Sequence, residues 1–457
     1  MGRTTADVVI CGAGIAGISA AFHLTLLQPG LRVVVVDERP PLSLTSDKST
    51  ECYRNWWPEA SMIHLIDRSV FWLQRWADET GNAFGLNRRG YLYASTTDDG
   101  ARGLLVRAEH IARLGGGELH ISPSPGIDPR GLGSAGVSAG ASSGAEFCSD
   151  PAAIQAVYPY LAPGTLAVLR VHRAGWFRAQ ELGTWLLGKA ALAGVARLAG
   201  RLTRLEIAGG AVKGLQVETP AGAHHISAPI LVNAAGPFAS EVSEWAGVEL
   251  PLSWELHLKA AFQDLAQIVP RSAPLLILAD EQRLEWSEEE LALLRQSPAD
   301  RNLLEPLPGG AHLRPEGPAD SRYCLLLWPY HLPSVLPTFP IVPDPAYAEI
   351  AMRGMSRLIL GLRVYIGRMP PTSVDGGYYT RTPDNLPLIG PTPLGGYFLM
   401  AALSGFGVMA SPAAGELLAR SVLGQDLPRY ADSFLLRRFE APGYWEQLRR
   451  AQETGGL

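Results

Sequence analysis

Apolar residues along the chain fall into two patterns, short unbroken runs and runs at a helical period. Val8 to Cys11 and Arg32 to Val36 are of the first kind, and each reads as a strand buried on both faces. Ile18 to Leu27 lies between them as an apolar and small-residue helix. Met62 to Thr80 repeats at 3.6 residues, with Ile63, Ile66, Val70, Leu73, Trp76 and Ala77 on one face. Further strands are expected at Gly90–Ser95, His257–Phe262, Cys324–Trp328 and Tyr397–Ala402. Leu202–Ile207 and Val212–Val217 form an expected hairpin, and Ile226–Asn233 one further strand. Helices are expected at Ala101–Leu114, Gln180–Ala193, Phe238–Gly247, Ser287–Gln296, Tyr347–Ile359 and Val408–Leu423, with order also restarting over Ala152–Tyr160. Gly115 to Gly144 lacks periodicity, is rich in Gly, Ser, Ala and Pro, and reads as a mobile loop and a candidate active-site lid.

The first strand runs straight into Gly12-Ala13-Gly14-Ile15-Ala16-Gly17, and the second ends at Asp37. Strand, glycine turn, helix, strand and acid in that order make a dinucleotide-binding βαβ unit. Gly12 allows the tight turn, Gly14 lets a pyrophosphate approach the backbone, and Gly17 lets helix and strand pack closely. The helix start offers free N–H groups and a positive dipole end. Asp37 is placed to accept from the ribose hydroxyls, and its charge disfavours a 2′-phosphate, hence NADP. Gly131 to Gly136 matches the same glycine spacing, but no strand precedes it, and it reads as loop.

Composition narrows the field. The 457 residues, 47% hydrophobic, suit a large core and two intertwined domains. A net charge of −5 gives no sign of nucleic acid or of an anionic membrane. No apolar run is long enough for an integral membrane segment, and the chain enters its first strand with no room for a signal peptide. Cys11, Cys52, Cys148 and Cys324 are dispersed without metal-ligand spacing, so no metal is expected and reduced thiols in the cytoplasm are. Two further segments stand out. Thr45 to Arg54 is polar and reads as a solvated loop or as a loop over the nucleotide; Ser404-Gly405-Phe406-Gly407 is a second glycine turn leading into a helix, whose N-terminus suits a developing negative charge.

Gly12 to Gly17 with Asp37, Asn233-Ala234-Ala235-Gly236, the run Thr382 to Pro391, and Ser404 to Gly407 together resemble the FAD-dependent D-amino acid oxidase superfamily, above all its sarcosine oxidase, glycine oxidase and dimethylglycine dehydrogenase branch. The resemblance covers nearly the whole chain. It implies an α/β fold in which a Rossmann-type FAD-binding domain (1–95, 150–248 and 346–457) interleaves with an α+β substrate domain on a mixed sheet (96–149 and 249–345). Implied FAD contacts are Gly12, Ala13, Gly14, Ile15, Ala16, Gly17, Asp37, Glu38, Arg39, Ser46, Lys48, Ser49, Thr50, Leu202, Ala235, Gly236, Gly377, Gly405, Phe406, Gly407, Val408 and Met409.

The chain departs from that branch in three places. Gly377 stands where sarcosine oxidases carry the cysteine bonded to FAD, so non-covalent FAD is expected. The strand Cys324 to His331 has Leu327 and Trp328 and lacks the lysine that promotes reaction with oxygen. Met409 stands where a lysine binds the substrate carboxylate. The implied activity is oxidation of a C–N bond in a secondary amine or amino acid by hydride transfer to flavin N5, as a dehydrogenase more than a fast oxidase, with oxygen, a quinone or a partner protein as acceptor. Lys259 and Arg54 are the candidate cations near the flavin; the first is equally a surface lysine, the second equally a loop salt bridge. Tyr378, Tyr379, Trp328 and His331 are candidates for the substrate pocket or for ordinary packing. Alternatives are a flavoenzyme for hydroxy acids or polyol phosphates, which would want Arg314, Arg322, Arg363 and Arg368 together, and a non-catalytic flavoprotein subunit or assembly factor.

Overall fold

The computed structural model describes residues 2–122, 144–298 and 300–453. Two sheets dominate it. A six-stranded sheet has the order Ala196–Ala199, Val33–Asp37, Val8–Cys11, Leu231–Asn233, Tyr397–Ala401, Leu388–Pro391, parallel except for the last pair. Helix Ile15–Leu27 packs between this sheet and helices Ala179–Leu192 and Gly407–Val422. Val8, Ile10, Val33 and Val35 enter one core cluster, and Val9, Val34 and Val36 enter another. Burial on both faces is what the unbroken apolar runs encode.

The second sheet is mixed and has nine strands, in the order Thr372–Arg381, Ser253–Gln263, Tyr323–Leu327, Ala311–Pro315, Leu275–Leu278, Tyr91–Ser95, Ala167–Val171, Gly144–Cys148, Glu118–Ile121. Its strands Tyr91–Ser95, Ala167–Val171 and Thr372–Arg381 come from segments allotted by sequence to the FAD-binding domain. An apolar run looks the same whichever sheet it joins, so its partner is a tertiary matter. Residues alternate across this sheet. Leu92, Leu276, Leu313 and Leu326 enter one core cluster, while Tyr93, Ile277, His312 and Leu327 turn to the opposite face and line a cavity.

Most expected elements are present with bounds shifted by a few residues. The strand expected over Ile226–Asn233 is two strands. Gly222–Ser227 belongs to a four-stranded sheet with Gly2–Thr5, Ala211–Thr219 and Arg201–Ala208, and Leu231–Asn233 belongs to the six-stranded sheet. Pro229, which has no N–H to give to a ladder, lies between them. Within the expected loop Gly115–Gly144, Glu118–Ile121 is a strand; residues 123–143, with the second glycine motif, lie outside the described residues. Thr45 to Arg54 ends in the strand Cys52–Arg54, paired with Ala174–Trp176.

Among the described residues no helix is long and apolar enough to cross a membrane, and no group of His, Cys, Asp or Glu is arranged to hold a metal ion. All four cysteines are free.

Candidate functional site

The first glycine turn is shaped by close approaches. Gly12 has φ +111°, and a Cβ there would lie 2.3 Å from the Ala234 carbonyl oxygen. A Cβ on Gly17 would lie 1.9 Å from the Gly12 carbonyl oxygen. Gly14 is different: a Cβ would meet only Ser46 Oγ, at 3.3 Å, and Gly14 lines a cavity. Asp37 lies at the end of the neighbouring strand. Its Oδ2 accepts from Ala13 N at 2.7 Å and its Oδ1 from Arg39 N at 2.9 Å. Ile15 N, in the first turn of the helix, donates to Ser46 Oγ at 3.0 Å, which ties the polar loop to the helix start.

The second glycine turn opens on the same cavity. Ser404–Phe406 is a short 3₁₀ turn leading into helix Gly407–Val422, and neither this helix nor Ile15–Leu27 has a side-chain cap on its N-cap residue. A Cβ on Gly405 would lie 2.2 Å from Tyr379 Cε2. Two helix starts with positive dipole ends therefore face one cavity, the first with its Ile15 N–H already given to Ser46 Oγ. Of the nucleotide contacts implied from sequence, Gly12, Gly14, Ile15, Ala16, Asp37, Arg39, Ser46, Ser49, Ala235, Gly236, Gly405, Gly407 and Val408 line it.

The remaining implied contacts have other surroundings. Ala13 acts through its N–H on Asp37, and Gly17 packs on the turn. Glu38 pairs with Arg39 at 2.7 Å, and Lys48 bridges Asp47 and Asp375 at 2.7 and 2.8 Å. Leu202 is core beneath the four-stranded sheet. Phe406 is buried with its ring edge on Trp57. Gly377 packs against Lys48 and Thr45. Thr50 and Met409 line a second cavity. Leu42, Thr45, Tyr379 and Met400 to Leu403 also line the first cavity and are not among the implied FAD contacts; Thr45 lies inside the polar loop, and Tyr379 is a candidate for the substrate pocket instead.

The second cavity, about 640 Å³, shares Tyr379 and Gly405 with the first. Its wall is the open face of the nine-stranded sheet, where Tyr93, Ile277, His312 and Leu327 are successive cross-strand partners. Arg54 lies in it with its guanidinium 4.4 Å from the Trp57 ring and 5.7 Å from the Tyr91 ring. Its Nε donates to the Trp56 carbonyl at 3.2 Å, and no carboxylate of the described residues pairs with it. His312 Nδ1 is 2.8 Å from the Gly310 carbonyl, which only accepts, so Nδ1 carries the proton and Nε2 is left as an acceptor. Burial pushes His312 down to about 4, so the ring is neutral at ordinary pH. His257 stacks on Tyr379 with 3.7 Å between ring centroids and is also pushed down by burial, partly offset by Glu255 at 3.0 Å. No sequence signal marked His257 or His312, because each is a single histidine in a separate strand.

The candidate catalytic residues are dispersed. Arg54, Trp328, Tyr379 and the exposed His331 line the second cavity. Tyr378 lines the first instead, and its hydroxyl accepts from Thr338 N at 2.9 Å and donates to Thr338 O at 3.0 Å. Lys259 lines neither cavity and donates to the carbonyls of Ser49, at 2.9 Å, and Asp47, at 3.4 Å. The four arginines that a phosphate substrate would want are not brought together. Arg314 is buried against Thr50 O and Glu51, Arg363 faces Glu285, Arg368 bonds Val364 O, and none of these or Arg322 lines either cavity.

The model of the FAD dependent oxidoreductase family matches residues 7–421. The chain belongs to that family of FAD-dependent enzymes. No curated protein matches it in sequence. Among solved structures it is similar to L-proline dehydrogenase from P. horikoshii, with 21% identity, TM-score 0.72, and 96% of this chain and 98% of that one covered. It is also similar to glycine oxidase from Geobacillus kaustophilus (17%, TM-score 0.70, 95% and 99%) and to iminodiacetate oxidase from Chelativorans sp. BNC1 (16%, TM-score 0.65, 94% and 98%). At these identities the likeness is one of fold. The first cavity fits FAD on its own evidence: a glycine turn that a Cβ would close, an acid at the neighbouring strand end, and two helix starts that line one space.

Proposed function

We propose that this enzyme oxidises the C–N bond of an amino acid or secondary amine, with FAD held non-covalently and electrons passed on more readily to an acceptor other than oxygen. The observation that carries the reading is Arg54, a cation without a carboxylate partner among the described residues, in a cavity that shares a wall with the dinucleotide cavity. A substrate carboxylate completes it. The proteins of similar fold named above act on proline, glycine and iminodiacetate, all amino or imino acids.

FAD, when bound, supplies the two-electron acceptor that takes hydride from the α-carbon. The chain's own residues bind and orient. Gly12 to Gly17 and Asp37 hold the nucleotide end, and Gly405 to Val408 hold the other end with backbone N–H groups. Arg54 fixes the carboxylate and its charge disfavours the ammonium form of the substrate, and neutral His312 offers Nε2 as an acceptor to an amine N–H. Leu and aromatic side chains keep water from the reacting bond. Non-covalent attachment follows from the glycine at 377, and weak oxygen reactivity from the absence of any lysine among the residues lining the second cavity.

The test is the visible spectrum of the purified protein under nitrogen, with N-methyl amino acids, D-amino acids, cyclic imino acids and larger secondary amines added in turn. Bleaching by one class supports amine oxidation, and slow recovery in air supports a dehydrogenase. Bound flavin that no amine bleaches overturns the reading in favour of a non-catalytic subunit.

A further inference from the structure

The second cavity has two unlike ends. The end it shares with the dinucleotide cavity, at Tyr379 and Gly405, holds the cation Arg54, tied through Trp57 to Phe406 by ring contacts of 4.4 and 5.1 Å. The opposite end reaches the exposed residues His331 and Val342. There Leu303, Trp328 and Tyr330 form an apolar wall, the two ends of the strap Pro329 to Asp344 line it, and the exposed Asp300, His331 and Asp344 stand at its rim. That strap is pinned at several points. Val335 N donates to Trp254 O at 2.9 Å, Thr338 holds the Tyr378 hydroxyl, and Tyr330 stacks on Tyr347 at 6.0 Å. The first two contacts hold the middle of the strap near the shared end, and the Tyr330–Tyr347 stack fixes the aromatic wall itself.

Volume decides what that space is for. Pockets of roughly 300–1,000 Å³ enclose drug-sized ligands, and this one is about 640 Å³. A glycine-sized substrate held at Arg54 would leave water against Leu303, Trp328 and Tyr330, whereas an apolar group there would displace that water favourably.

We propose that the aromatic end is a subsite for a bulky apolar or aromatic group carried on the substrate nitrogen or α-carbon, so that the enzyme acts on large N- or α-substituted amino acids in preference to glycine-sized ones. This rests on the amine-oxidation reading above and extends it from reaction to substrate class.

The experiment uses the FAD-loaded protein and a graded ligand series. Dissociation constants for sarcosine, N-propylglycine and N-benzylglycine are taken from the anaerobic reduction kinetics, and those for unreactive acetate and phenylacetate from the perturbed flavin spectrum. The expected result is a stepwise fall, with N-benzylglycine at least tenfold tighter than sarcosine and phenylacetate at least tenfold tighter than acetate. Tyr330→Ala, which removes an aromatic wall, and Leu303→Trp, which fills the space, should each cut that ratio about fivefold or more. Equal constants across the wild-type series, or a ratio untouched in both variants, overturns the subsite. Should phenylacetate bind with the expected preference while no amine reduces the flavin, the subsite stands and the C–N reading fails. If small amines reduce the flavin as tightly bound as large ones, the reading stands and the subsite fails.

Discussion

Lys259 Nζ lies 2.9 Å from the carbonyl oxygen of Ser49, across the boundary between the nine-stranded sheet and the loop that lines the dinucleotide cavity. Arg314, fully buried on another strand of that sheet, holds the next carbonyl, Thr50 O, through Nη2 at 2.9 Å. Two cations thus fix two successive peptide groups where the two cavities adjoin. Burial lowers the Lys259 pKa, and Glu51, Asp375 and Asp47 offset part of that.

Replacing Lys259 with Met should free the Asp47 to Thr50 segment. FAD affinity is expected to fall about tenfold, on the order of 1.4 kcal/mol, read by ultrafiltration or flavin fluorescence. Unchanged retention would show that the loop's other anchors, Arg314 and the Lys48–Asp375 pair among them, suffice to hold it.

Gly12→Ala meets the Ala234 carbonyl at 2.3 Å and a φ of +111°. The turn must shift, and the variant is expected to purify without FAD colour while keeping far-UV helix content. Retained colour at full occupancy would contradict the assignment of this turn to the nucleotide.

Tyr378→Phe removes both hydrogen bonds to the Thr338 backbone. A net loss of about 1 kcal/mol per bond is expected, and it should appear locally, as faster proteolysis between Pro329 and Asp344. Uniform destabilisation with no change in cleavage there would argue against a locally pinned strap.

Glu416 sets an acid limit. Burial raises its pKa, but Arg68 at 2.6 Å, the Trp72 indole at 2.7 Å and Arg420 at 3.1 Å outweigh burial and hold it at about 2, below the ordinary 4.5. Its folded pKa is depressed, so its contribution is complete above pH 4.5 and is lost as pH falls toward 2. That contribution is about 3 kcal/mol. Glu416→Ala should lower stability by about that amount at pH 7, with the difference from wild type shrinking in acid, measured by urea unfolding at several pH values. A difference independent of pH would assign the cost to packing.

Local pattern carries the cofactor half of this protein. Gly12 to Gly17 between two apolar runs, and Asp37 after the second, are neighbours in sequence because a βαβ unit is built from consecutive elements, and the turn, the helix start and the acid follow from that order. The second glycine turn, Ser404 to Gly407, is legible for the same reason. Pairing between distant strands is what the sequence leaves open. Tyr93, Ile277, His312 and Leu327 form one row only because Tyr91–Ser95 pairs in register with strands from a distant segment of the chain. A single histidine in an apolar strand has no signature until the facing element is known. Lys259 shows the same limit. The sequence leaves it equally a cation near the flavin and a surface lysine, and whether its ammonium points into a cavity or onto the Ser49 carbonyl depends on where the loop of Ser49 packs, which is decided by tertiary burial and hydrogen-bond satisfaction.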